Sequence, residues 1–160
     1  RVRNDVQKGY DQEDIFDTVA RTQKAGIHVL GNYIFGLPED DRSTMQQTLD
    51  LATELNSPHV NLYVCQCYPG SALYDEAVRE GKLLPPSWEG YSQHGYETWP
   101  SPTKYVSGPE VLRFRDQAFT TYFANPTYLA MIERTFGTAA VEHIKQMVAI
   151  PLRRRYLGAR

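Results

Sequence analysis

Two glycine–proline breaks carry the residues best placed to do chemistry. Gly36-Leu37-Pro38-Glu39 ends one short apolar run, and Tyr68-Pro69-Gly70 ends the next. Gly36 lets a ligand approach the backbone closely, and Pro38 fixes the turn. Asp40 or Asp41 can order the loop by capping the helix that follows, and a helix start near Ser43-Thr44 favours an anion. Alone, the Gly36-Leu37-Pro38 tripeptide reads better as a tight connection only. Cys65 and Cys67 form a C-x-C pair. Two thiolates do not complete a tetrahedral metal site, and same-face strand neighbours do not favour a disulfide, so both read as reduced thiols. His28, His59, His94 and His143 show no ligand spacing and read as structural or surface groups. Ser71 has no G-x-S-x-G elbow, which argues against a serine hydrolase.

The elements that must position these residues are legible in the periodicity. Asp11 is a good N-cap for a helix over about Gln12–Ala25, with Gly26 as its left-handed C-cap. Ile27–Phe35 reads as a strand. Ser43 and Gln46 form a capping box, and Met45, Leu49, Ala52 and Leu55 repeat at helical spacing to about Asn56. Val60–Gln66 is the second strand. Ser71 caps a short helix over about Ala72–Glu80, stopped by Gly81. One βαβ unit therefore has a break at the carboxyl end of each strand, where parallel α/β folds bind ligands.

Residues 84–108 are rich in proline and aromatics, including Trp88, Tyr91, Tyr96, Trp99 and Tyr105. Disordered linkers lack such aromatics, so an ordered irregular segment is expected, with these rings as a packed cover. Helices follow from Pro109 to about Tyr122, over Tyr128–Phe136 and over Thr138–Ala149.

Alternation divides each strand into two faces. Asn32, Ile34 and Gly36 share one face of the first, and Asn61, Tyr63 and Cys65 share one face of the second. The opposite sets (Val29, Gly31, Tyr33, Phe35; Val60, Leu62, Val64) are mostly large and apolar. The apolar sets are expected under helices, and the mixed sets toward a ligand.

The 160 residues carry a net charge of −2, 41% hydrophobic residues and 22% charged residues. That balance gives no electrostatic reason to expect nucleic acid. No apolar run approaches the roughly 20 residues a membrane span needs. The basic cluster Arg153-Arg154-Arg155, with Arg160, reads as a solvated tail. Nothing indicates an oxidising compartment, so a cytoplasmic protein is expected.

The combination A-G-I-x-V-x-G-N-Y-I-F-G-L-P-E-D, then T-M-Q-Q-T-L-D-L-A-x-E-L, then Y-P-G-S-A-L-Y resembles the second half of the radical S-adenosylmethionine (SAM) enzymes. It is most similar to the branch with an N-terminal cobalamin-binding domain, and it covers about residues 1–81. The resemblance implies SAM as cofactor, held by Asn32, Ile34, Gly36, Leu37, Pro38 and Asp40 and by Tyr63, Val64 and Cys65. Ile34 and Gly36 match the family's G-x-I-x-G-x-x-x-E pattern, whereas Asn32 replaces its first glycine and Asp40 its glutamate. Residues 1–9 resemble the region after the family's fourth strand. The resemblance also implies a 4Fe-4S cluster, whose C-x-x-x-C-x-x-C ligands this sequence does not contain and which are expected upstream, together with cobalamin in an upstream domain.

The fold expected is α/β: a partial (β/α) barrel fragment with parallel strands over residues 1–83, an ordered loop over 84–108, and an all-helical extension over 109–160. Two parallel strands do not close a sheet, so the chain is expected to be a fragment, with the missing N-terminal half of the same protein as partner beside a small-molecule substrate, or to be completed by strands from another copy. Its exposed strand edges are expected to make the isolated chain self-associate. The full-length protein is expected to cleave SAM reductively for hydrogen abstraction or methyl transfer, this segment alone being inactive. The alternative is a stand-alone, non-catalytic binding domain derived from a βα barrel.

Overall fold

A computed structural model describes residues 12–157. They form a mixed α/β structure, mostly helical, with two parallel strands. Helix α1 (Gln12–Lys24) leads to strand β1 (Leu30–Phe35), helix α2 (Arg42–Leu55) and strand β2 (His59–Val64). Helices α3 (Ala72–Arg79), α4 (Gly108–Phe123), α5 (Pro126–Phe136) and α6 (Thr138–Ala149) follow, with 3-10 turns at Trp88–Tyr91 and Arg155–Leu157. No helix among the described residues is long and apolar enough to cross a membrane.

Local chemistry sets most boundaries. Gly26 takes φ +79°, while its N–H and that of Ile27 close back on the Gln23 and Thr22 carbonyls. This is the double closure of a glycine C-cap. The N-cap expected at Asp11 lies outside the described residues. Asn56 ends α2 with φ 44°, and Ser71 caps α3 by accepting the Tyr74 N–H at 3.2 Å.

The start of α2 differs from the sequence reading. Its capping box is Asp41 with Thr44, not Ser43 with Gln46. The Asp41 carboxylate accepts the Thr44 N–H at 2.9 Å, and the Thr44 hydroxyl accepts the Asp41 N–H at 2.9 Å. An ionised carboxylate is the stronger acceptor for a helix's first N–H groups, so the helix begins one residue after it, at Arg42.

Both strands are shorter than their apolar runs. β1 pairs with β2 in parallel from Leu30↔His59 to Phe35↔Val64. The ladder begins at Leu30↔His59, so Ile27, His28 and Val29 are left out. At the other end Gly36 turns at φ +83°. Only the Cys65 N–H still reaches the Phe35 carbonyl, at 2.7 Å.

The core lies on one face of this two-stranded sheet. Phe35, Val60, Leu62 and Val64 are buried against Met45, Leu49 and Ala52 of α2 and Val111, Leu112 and Ala118 of α4. Tyr122 and Tyr128 extend it toward α5, donating to the Ser57 and Pro58 carbonyls at 2.8 and 3.2 Å. The opposite face is open: Leu30 is 54% exposed and Ile34 45%.

Two surface expectations are corrected. Arg154 does not belong to a solvated tail: it is 4% exposed and fully engaged, because a partly buried carboxylate and two carbonyls converge on its guanidinium. Arg155 pairs with Glu97 at 2.9 Å, while Arg153 is exposed. The aromatic segment is ordered but only partly a cover. Tyr91 stacks on Tyr68 and Trp99 meets Tyr156 edge-on, whereas Trp88, Tyr96 and Tyr105 stand mostly in solvent.

Candidate functional site

A cavity of about 330 Å³ opens at the carboxyl ends of β1 and β2. That is at the small end of the range of about 300–1,000 Å³ usual for small-molecule pockets. The turn after β1, the segment 65–67 after β2, α3, residues 82–84 and the loop 101–104 surround it. It is lined by Gly36, Pro38, Cys65 and Cys67 at the strand ends, by the apolar Leu73 and Ala77 of α3, and by Pro102 and Lys104 of the loop. Its charged groups are Glu39, Glu76 and Glu80 against Lys82 and Lys104, three carboxylates to two ammoniums.

The turn after β1 is built by Asp40, which is 2% exposed. One carboxylate oxygen accepts the N–H groups of Gly36 and Leu37, each at 2.9 Å, and the other accepts the Thr44 hydroxyl at 2.8 Å. Those bonds point the carboxylate into the turn rather than into the cavity. Of the two candidates for capping the helix, Asp41 does so, while Asp40 orders the loop by accepting the turn's own N–H groups.

Gly36 is also required by a contact that the sequence does not announce. A Cβ there would lie 2.5 Å from Val111 Cγ1. The group that approaches its backbone closely is a core side chain of α4, even though Gly36 also lines the cavity.

The loop 101–105 is stitched to the same turn. The Lys104 N–H donates to the Pro38 carbonyl at 2.9 Å. Glu39 takes the Lys104 ammonium at 3.3 Å and the Tyr105 hydroxyl at 3.2 Å. Across the cavity Lys82 pairs with Glu80 at 2.7 Å and Glu76 at 3.8 Å. Burial, then the neighbouring Cys67 and Asp40, pushes the Cys65 thiol up to about 12. At neutral pH Cys65 is therefore a protonated, weakly polar wall group rather than a nucleophile.

The nine residues singled out in the sequence fall in three places. Gly36, Pro38 and Cys65 line the cavity. Asn32, Ile34 and Tyr63 lie on the open face, where Asn61 donates to Asn32 across the strands at 3.0 Å. Leu37, Val64 and Asp40 are turned elsewhere: Val64 packs in the core, and the Leu37 N–H is held by Asp40. Sequence reasoning missed Glu39, Glu76, Lys82 and Lys104. Lys104 comes to the cavity through a backbone bond from a loop more than sixty residues away in sequence, and no local pattern announces that.

A second polar cluster backs β2. Arg115, 1% exposed, donates from Nε to the Leu62 carbonyl at 2.7 Å and from Nη1 to Asp116 at 3.0 Å. Its Nη2 lies 2.9 Å from His94 Nδ1, which must accept and so be unprotonated. Burial, then the Arg115 and Arg154 charges, pushes the His94 imidazole below the usual histidine range, with Asp116 opposing. The other histidines do not gather ligands. His28 and His59 pack with Phe136 in a three-ring cluster at the amino ends of the strands. Among the described residues, no three His, Cys, Asp or Glu side chains converge on a metal position.

No family model matches the chain. It is similar to an uncharacterized methyltransferase of Pyrococcus horikoshii, 24% identical over 132 residues. The match covers 81% of this chain and spans 28% of that protein's length.

Proposed function

We propose that this chain is the carboxyl-terminal part of a radical SAM enzyme's partial (β/α) barrel, and that the full-length protein uses SAM for methyl transfer. The observation that carries the reading is the cavity at the carboxyl ends of two parallel strands, beside a sheet face left open. In this reading Ile34 and the Tyr63–Cys65 backbone support adenine, and Gly36 and Pro38 wall the cavity. The excess of carboxylates over ammoniums along its lining suits a cationic sulfonium. The methyltransferase to which the chain is similar supports methyl transfer as the outcome.

The residues of this chain do not make a 4Fe-4S site. The sequence has two cysteines, spaced C-x-C, and both lie in the cavity wall. Cluster ligands therefore belong to other parts of the protein in this reading, as does any cobalamin. What this chain's own residues do is bind and orient: Asp40 fixes the turn, and the apolar wall of Leu73 and Ala77 limits water.

The test uses the full-length protein, reconstituted with iron and sulfide without oxygen and supplied with SAM and a reductant. Cluster-dependent 5′-deoxyadenosine or S-adenosylhomocysteine supports the reading. Neither product, with no iron bound, overturns it in favour of a stand-alone binding domain.

A further inference from the structure

The outer edge of β2 is closed by side chains instead of a third strand. The Val64 N–H donates to Gln93 Oε1 at 2.9 Å, and Gln93 Nε2 donates to the Val64 carbonyl at 3.0 Å. The same Nε2 lies 3.0 Å from the Tyr68 hydroxyl. One amide thus grips the segment 64–68 at both ends, and between them stand Cys65 and Cys67, which line the cavity.

Gln93 sits on an irregular loop that the chain's last described residues hold in place. Arg154 donates from Nη1 to the carbonyls of Gln93 and Gly95 at 3.2 and 3.0 Å and to the Thr98 hydroxyl at 2.6 Å. Its other nitrogens fork onto Asp116 at 3.0 and 2.8 Å. Asp116 also holds Arg115, whose Nε caps the Leu62 carbonyl on the same strand edge. The adjoining residues add to the grip: the Arg155 N–H bonds the Tyr96 carbonyl at 2.9 Å, and Tyr156 packs on Trp99.

We infer that Arg154 is a positioning residue for the strand-end cavity: docked on Asp116 and on the 93–98 loop, it holds Gln93 against Val64 and Tyr68 and so fixes the segment that carries Cys65 and Cys67. Arg154 touches no part of the cavity lining. It acts through Gln93, and a planar, five-donor fork suits the converging carboxylate and carbonyls in a way that an ammonium does not. The inference rests on the proposed cavity as the ligand site only for its binding readout.

The test compares Arg154→Ala, Gln93→Ala and the double variant of the full-length protein by residue-level amide hydrogen exchange and by SAM binding in equilibrium dialysis. Arg154→Ala is expected to speed exchange at Val64 and Cys65 about tenfold while the α2 amides change less than about twofold. SAM affinity is expected to fall about tenfold. The double variant is expected to lose no more at Val64 than Gln93→Ala alone, since the two act in series. Millimolar ethylguanidinium is expected to restore protection at Val64 in Arg154→Ala and not in Gln93→Ala. If Arg154→Ala does not fold, Gln93→Ala with its own exchange and affinity losses carries the test. Exchange that rises equally at all amides, or losses that add in the double variant, overturns the inference. Absence of SAM binding by the unmutated protein overturns the ligand reading instead, and the exchange data still decide the role of Arg154.

Discussion

Val111, near the start of α4, occupies the space that a side chain on Gly36 would need, with its Cγ1 2.5 Å from where a Cβ would stand. The turn that ends β1 is therefore shaped by the helix packed behind it. Gly36→Ala is expected to cost about 3 kcal/mol, combining a left-handed backbone at φ +83° with overpacking. Adding Val111→Ala relieves the overlap and not the backbone strain. The double variant should thus be less destabilised than the two single losses summed, which denaturant unfolding measures. A neutral Gly36→Ala would sink this account.

Asp40 is expected to matter to stability as well as to the turn. Asp40→Ala leaves the buried Gly36 N–H and the part-buried Leu37 N–H without their acceptor and should cost about 2–4 kcal/mol. Asp40→Asn keeps one oxygen for those donors and should cost clearly less. Equal losses for the two variants in urea unfolding would show that charge, not hydrogen bonding, is what the turn needs.

His94 should give the protein a pH dependence of defined sign. Its imidazole lies below the usual histidine range when folded, owing to burial and then to Arg115 and Arg154. Between that folded value and the unfolded value of about 6.5, the unfolded chain binds the extra proton. Stability should therefore be unaffected by His94 above about pH 6.5, fall as pH drops below it, and level off beneath the folded value. His94→Gln, which keeps an acceptor but does not titrate, should flatten that stretch of the urea-midpoint profile. An unchanged profile would show that other groups set it.

The open sheet face bears on association. Leu30 and Ile34 are exposed on that face, whereas Gln93 and Arg115 seal the edge of β2. The isolated 160-residue chain is expected to sediment as a dimer or larger at micromolar concentration, with Ile34→Lys shifting it toward monomer. A clean monomer before mutation would count against this.

The sequence by itself determined what depends on neighbours in the chain. Gly26, Asn56, Ser71 and Gly137 end or start helices where their types require, because capping is settled within about four residues. The two faces of each strand were equally legible, since side-chain alternation follows from the backbone alone: Val60, Leu62 and Val64 went inward, and Asn32, Ile34 and Tyr63 stayed on the open side. Only the tertiary structure decided the rest. The strand ends depended on how far the register with the partner strand runs, Leu30↔His59 to Phe35↔Val64. The need for glycine at position 36 came from Val111, seventy-five residues away. Arg154 reads as one charge in a basic tail until Asp116 and the 93–98 carbonyls are brought around it. Desolvating a guanidinium is favourable only once its partners converge, and that convergence is a property of the folded chain.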